Sequence, residues 1–272
     1  MTIDRRSLLA AVAALSAAGA LRAQTPEERS IEAHHRLAAV EGMKMQGDET
    51  VLMLLYPGFT ALDLVGPHYF FASLMGAKVD LVTTGQDLSP VRSDLGLAVS
   101  PTVTVSGATS APTILFVPGG SAGTVAAMRD DAIADFVATR GAAATWVTSV
   151  CTGSLVLARA GLLKGRRATS HWVARDLLAE FGAIPVNERV VIDGNVVTGA
   201  GVTAGLDFAI SLIAQLRGRP YAQALMLQGE YAPQPPFQGG TYESTDPAIA
   251  GAMKDMFATV TAEMAAIASS GR

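Results

Sequence analysis

The stretch TWVTSVCTGSLVLARAGLL, residues 145–163, joins an apolar run to a cysteine, a glycine and a helix-forming segment. Thr145 to Val150 reads as a core strand and Thr152 to Leu163 as a helix, so Cys151 falls on the corner between them. A side chain on such a corner stands above the sheet with the next helix's N-terminus beneath it, which is the mechanics of a nucleophile elbow. The partial positive charge of that N-terminus is expected to lower the thiol's pKa toward thiolate. The Thr152 N–H is expected to face an oxyanion forming beside the sulfur. The competing reading is an inert buried cysteine, the commonest fate of a lone thiol.

Outward from this corner the same alternation repeats. Val51 to Tyr56 is a continuous apolar run ended by Pro57-Gly58, as suits a strand buried on both faces. A helix is expected from about Gly66 to Met75, with Pro67 near its first turn. Lys78 to Thr84 and Thr113 to Val117 read as strands, the latter ended by Pro118-Gly119-Gly120, and Ser121 to Arg140 as helical pieces. Leu177 to Phe181 closes another helix, Asp193-Gly194 marks a hairpin between Arg189 to Asp193 and Asn195 to Thr198, and Val202 to Leu216 is an amphipathic helix. Strands alternating with helices predict an α/β fold, a mostly parallel sheet covered on both faces in one domain of about 220 residues.

Ligands of such sheets bind beyond the carboxyl ends of the strands. That rule selects Pro57 to Asp63, Pro118 to Gly123, Cys151 to Gly153 and Gly199 to Gly201. Asp63, flanked by Leu62 and Leu64, is expected to be partly buried, protonated and ready to donate to a thiolate or substrate; it reads equally as a helix N-cap. Gly119-Gly120 would supply a second oxyanion N–H, or a plain turn. His171, beside Trp172, either orients the site or is structural.

Composition excludes several classes. Of 272 residues half are hydrophobic and 16% charged, which rules out a largely disordered chain. Twenty basic against 24 acidic side chains, a formal charge of −4, argue against a general nucleic-acid binder. One cysteine makes no intramolecular disulfide and no zinc cluster. His34-His35 point apart with no third ligand near, so no metal is assigned. The run Gly199-Ala200-Gly201-Val202-Thr203-Ala204-Gly205 mimics a dinucleotide fingerprint but lacks the acid-ended strand about 20 residues later.

Residues 1–23 read as an address. Arg5-Arg6 precede an Ala/Leu run of about 15 residues that ends in small residues, the pattern of an export signal of twin-arginine type cleaved after Ala20 or Ala23. Without it the chain has 249 residues and a charge of −6, with no apolar run of about 18 or more to span a membrane. A periplasmic location follows as an expectation. Residues 24–49 read as a linker or marginal helix, and 246–272 as one C-terminal helix, about Pro247 to Ala268, and a tail.

Together, Tyr56-Pro57-Gly58-Phe59-Thr60-Ala61-Leu62-Asp63-Leu64-Val65-Gly66-Pro67, Val117-Pro118-Gly119-Gly120 and Ser149-Val150-Cys151-Thr152-Gly153 resemble the ThiJ/PfpI superfamily. Ala168-Thr169-Ser170-His171-Trp172, Gly201 to Asp207 and Pro233 to Phe237 continue the match over residues 50–245, nearest to the isonitrile hydratase branch. The resemblance implies a three-layer, flavodoxin-like sandwich of the class I glutamine amidotransferase type, commonly a homodimer. It implies Cys151 as nucleophile, Asp63 as its acid, Gly120 and Thr152 as backbone donors and His171 as a lining residue. The implied reaction is hydration of an isonitrile, a small-molecule substrate, to an N-substituted formamide through a cysteine thioimidate, with no metal or organic cofactor. Other branches fit less well: His171 lacks the His-x-Glu of the glutaminases, Thr152 stands where peptidase-like members carry histidine, and no DNA-binding module follows. Another chemistry of the superfamily, or a cysteine-based stress and redox sensor, are the alternatives.

Overall fold

Five residues of one strand, Val51 to Leu55, have no solvent exposure at all, and the sheet is built outward from them. The computed structural model describes residues 24–270. The expected leader and its expected cleavage positions lie outside the described residues. The described chain divides into two units, residues 24–41 and 42–270.

The first unit is a single helix, α1 (Pro26–Ala38), held at its start by a capping box between Thr25 and Glu28 and burying no side chain. It ends at Ala38, because the apolar stripe needed to extend a helix is missing.

The second unit runs β1 (Thr50–Leu55), α2 (Ala61–Ala72), β2 (Lys78–Thr83), β3 (Val91–Arg92), β4 (Ala98–Val99), β5 (Val103–Thr104) and β6 (Ile114–Val117). It continues through α3 (Ala122–Arg129), α4 (Asp131–Ala143), β7 (Trp146–Val150), α5 (Gly153–Arg159), β8 (Arg167–Ala168), a 3-10 helix (Arg175–Phe181) and β9 (Ile184–Pro185). β10 (Val190–Asp193), β11 (Val196–Gly199), α6 (Ala204–Arg217), α7 (Arg219–Gln228), α8 (Pro247–Met256) and α9 (Ala258–Ser269) complete it.

The main sheet has the order β10-β11-β7-β6-β1-β2-β5, parallel except for the edge strand β10, which pairs with β11 through the Asp193-Gly194 turn. The chain leaves β1 toward β2 on one side and returns to β6 on the other. The strand order therefore reverses between β1 and β6, the place where open α/β sheets bind ligands. Register brings the strand ends to one level: Val117 lies opposite Ser149, and Val150 opposite Gly199.

Four expectations need correction. Helix α2 starts at Ala61, five residues before Gly66, because the loop ahead of it is pinned: Gly58 N–H donates to Arg92 O at 2.8 Å, Thr60 N–H to Gly119 O at 2.8 Å and Asp94 N–H to Phe59 O at 2.9 Å. Pro67 thus lies inside the helix, and Asp63 is a first-turn residue, not the N-cap. The C-terminal segment holds two helices, not one, broken at Phe257 (φ −88, ψ −3). The segment closing at Phe181 is a 3-10 helix, and α5 is only seven residues long, ending in a turn at Gly161 (φ +79).

A strap of residues 42–49 is fastened by Arg217, the last residue of α6. Its guanidinium is fully buried, with Nε donating to Glu49 Oε1 at 2.7 Å and a second nitrogen paired to Glu49 Oε2. The remaining N–H groups reach Met45 O and Met75 O, each at 3.0 Å. Among the described residues no helix is long and apolar enough to cross a membrane.

Candidate active site

Cys151 has φ +58, a left-handed conformation uncommon outside glycine, and it turns the chain sharply from β7 into α5. The surroundings hold it there. Its N–H donates to Gly199 O at 3.1 Å and Ala200 O at 2.7 Å, and its carbonyl accepts from Ser154 Oγ at 3.1 Å and Ser170 Oγ at 3.0 Å. Only 5% of the residue is exposed.

Asp63 arrives from the other side of the strand-order reversal and is fully buried. Oδ2 accepts the Gly119 N–H at 2.9 Å, while Oδ1 is buried with no nitrogen or oxygen partner. The carboxyl also interacts with the Cys151 thiol. A methyl group on Gly119 would lie 2.7 Å from Asp63 Oδ2, from Cys151 Cβ and from Thr152 N. Glycine is required here because the Asp63 and Cys151 side chains close around its α-carbon.

Burial pushes the Asp63 pKa up to about 7, with the Gly119 and Cys151 hydrogen bonds opposing the rise and the charge of Asp94 adding to it. Burial likewise raises the Cys151 thiol well above the usual range, and the Asp63 charge adds to that; Thr152 pulls the other way through its N–H and its side chain. The helix-driven lowering expected from sequence does not prevail, because α5 is short and the thiol is sealed from water. At neutral pH the two groups share protons as a pair.

Two of the expected oxyanion donors are already engaged. The Gly119 N–H serves Asp63, and the Gly120 N–H donates to Thr152 Oγ1 at 3.0 Å. The Thr152 N–H is the donor that faces the sulfur. His171 stacks on Trp172 and Phe257, with ring centroids 5.7 Å away in each case. Burial drives its pKa down to about 4, so the ring is neutral at physiological pH and packs as a wall.

Sequence reading missed a buried hydroxyl chain. Tyr56 Oη donates to Pro118 O at 2.8 Å and lies 3.2 Å from Thr124 Oγ1, which is 2.8 Å from Thr152 Oγ1. Thr152 Oγ1 donates in turn to Gly120 O at 2.8 Å. This chain stitches the ends of β1, β6 and β7 together beneath the thiol. Tyr56, a polar-tipped residue closing an otherwise apolar run, was the available signal. Among the described residues no group of three or more His, Cys, Asp or Glu side chains is arranged to hold a metal ion.

The DJ-1/PfpI family model matches residues 49–215. An isonitrile hydratase of Pseudomonas putida is 50% identical over 196 residues, covering 72% of this chain and 84% of the relative. Protein DJ-1alpha of Drosophila melanogaster is 25% identical over 193 residues, 70% of this chain and 87% of that protein. The crystal structure of a ThiJ/PfpI family protein from Pseudomonas syringae superposes with a TM-score of 0.81 at 50% identity, covering 84% of this chain and 93% of that one. With its parallel sheet, its strained cysteine corner and its buried acid, the chain belongs to the DJ-1/PfpI family.

Proposed function

We propose that this protein is a hydro-lyase that converts an isonitrile, R–N≡C, into the N-substituted formamide R–NH–CHO. The observation that carries the reading is the sealed Cys151–Asp63 pair, in a chain half identical to an isonitrile hydratase. An isonitrile carbon has to gain a nucleophile and a proton on the same atom. A thiol beside a carboxyl raised to about 7, both shielded from water, supplies both.

The steps balance as follows. Asp63 takes the thiol proton as the sulfur of Cys151 bonds to the terminal carbon, and returns that proton to the carbon, giving the thioimidate R–N=CH–S–Cys151. The freed carboxylate draws a proton from water as the hydroxyl adds to the same carbon, and that proton passes to the nitrogen. Collapse of the adduct breaks the C–S bond; the hydroxyl proton returns to sulfur, and the formamide leaves. The Thr152 N–H faces the sulfur and stabilises charge gathering there. The depth and raised pKa of the thiol count against a sensor cysteine, which needs exposure and thiolate character.

The protein incubated with cyclohexyl isocyanide is expected to release N-cyclohexylformamide, and Cys151→Ala to release none above the uncatalysed rate. Equal product from both proteins, read by chromatography, sinks the mechanism. We further propose that the enzyme acts in the periplasm, on the strength of Arg5-Arg6 and the Ala/Leu run, and as a homodimer. Leu62, Val65 and Tyr69 form an apolar stripe on α2, each about two-fifths exposed, and support the second reading. Cell fractionation and a light-scattering mass near twice that of one processed chain check these expectations.

A further inference from the structure

The acid and the thiol fix only the head of a substrate; what holds the R group is a separate question. Between α3 and the C-terminal helices lies a cleft of about 510 Å³, within the roughly 300–1,000 Å³ of small-molecule sites. Its walls are Val125 and Ala126 of α3, Met256 and Phe257 at the break between the two C-terminal helices, and Val260 of α9. Ser121 also lines it, two residues along the chain from Gly119, whose α-carbon sits against both Asp63 and Cys151. Phe257 links the cleft to the corner by a second route. Its ring lies 5.7 Å from His171 and 6.2 Å from Trp172, and His171 is next to Ser170, whose hydroxyl binds the Cys151 carbonyl at 3.0 Å. The charged groups lining the cleft, Arg129 and Glu263, are paired with each other at 3.1 Å, so neither is left to hold a charged substituent.

We infer that the C-terminal helix pair, through Phe257 and Val260, is the specificity element of this enzyme, holding a bulky, uncharged alkyl or aryl R group. The inference rests on the isonitrile reading and goes beyond the family's shared span. Residues 256–263 lie outside the matched segment 49–215, so one wall of the cleft, opposite Val125 and Ala126, comes from beyond the part of the chain that holds Cys151 and Asp63. The break at Phe257 now has a use: ending one helix and starting the next at that residue places its ring between the cleft and His171.

The test compares kcat/KM for cyclohexyl isocyanide with that for methyl isocyanide. Phe257→Ala is expected to lower the cyclohexyl-to-methyl ratio by about tenfold or more, chiefly through KM for the larger substrate, since a lost apolar wall discriminates on that scale. Val260→Trp, which fills the cleft, is expected to lower the same ratio while keeping the packing. An unchanged ratio in both variants, or equal losses on both substrates, overturns the inference. A second readout is independent of turnover. N-cyclohexylformamide is expected to change Trp172 fluorescence, whereas N-methylformamide is not, and Phe257→Ala is expected to remove the difference. Binding without any isonitrile turnover leaves the cleft standing and removes the reaction. Turnover without discrimination does the reverse, and absence of both removes both.

Discussion

Asp63→Asn is expected to cut kcat for isonitrile hydration by about 10³–10⁴-fold, the range of a lost general acid–base. An amide accepts the Gly119 N–H as the carboxylate does, so the fold around position 63 is retained while proton transfer is lost. The pH profile separates this from mere misplacement. With the Asp63 pKa raised to about 7, the pair carries two protons below that pH and one above it. Attack on the isonitrile needs the singly protonated pair, so kcat/KM of the wild type is expected to rise through an apparent pKa near 7. The descending limb lies well into the alkaline range, where the raised thiol finally ionises. In Asp63→Asn the limb near 7 disappears; its persistence would assign that limb to another group. Stability moves the other way. A carboxyl whose folded pKa exceeds its unfolded value favours the fold at low pH, and that contribution is lost as pH rises through about 7. At pH 8 the wild type therefore holds a costly buried charge that Asp63→Asn removes, and the variant is expected to melt at least about 2 °C higher.

Arg217→Met is expected to be the most damaging change remote from the chemistry. It strands the Glu49 carboxylate in the interior and removes the guanidinium donors to Met45 O and Met75 O, leaving Met75 O only the Gly47 N–H at 3.2 Å. Breaking a buried pair from one side costs about 3–5 kcal/mol, or on the order of 10 °C in melting temperature for a chain of this size. Glu49→Met/Arg217→Met relieves the stranded charge but not the lost carbonyl contacts, so it is expected to recover only part of the loss. Full recovery would show that the carbonyl contacts contribute nothing. Burial pushes the Glu49 pKa up, but Arg217 pulls it further down, leaving it below its ordinary 4.5. This contribution is present above pH 4.5 and lost as pH falls through the lowered value, so the wild type is expected to lose stability in acid more steeply than Glu49→Gln. Denaturant melts between pH 3 and 7 read both effects.

What the sequence made legible follows from local rules. Apolar runs such as Val51 to Leu55 and Trp146 to Val150 mark strands buried on both faces, Asp193-Gly194 marks its hairpin, and the strand ends mark the ligand edge. Cys151 and Asp63 were reached that way and the fold brings them into contact. The role of Gly119 was not: two facts far apart in sequence, an acid on α2 and a thiol after β7, have to converge on one α-carbon before its lack of a side chain acquires meaning. The same is true of Thr124, which is unremarkable on its helix until Tyr56 and Thr152 arrive on either side. The direction of the thiol's pKa also escaped, because burial is a property of the assembled site and outweighs the helix end that sequence could see. Phe257 stayed hidden because the C-terminal segment reads as one continuous helix, and its break is visible only where the ring packs on His171.

The near-complete enclosure of Cys151 also sets a cross-section for whatever reaches it. An isonitrile presents a linear N≡C terminus, one atom wide, ahead of its substituent; carbonyl electrophiles and iodoacetamide present trigonal or tetrahedral centres of larger girth. A thiol of which so little is exposed is expected to select by the shape of the approaching tip before any electronic preference operates. Slow alkylation alongside fast hydration is the behaviour such a sieve dictates.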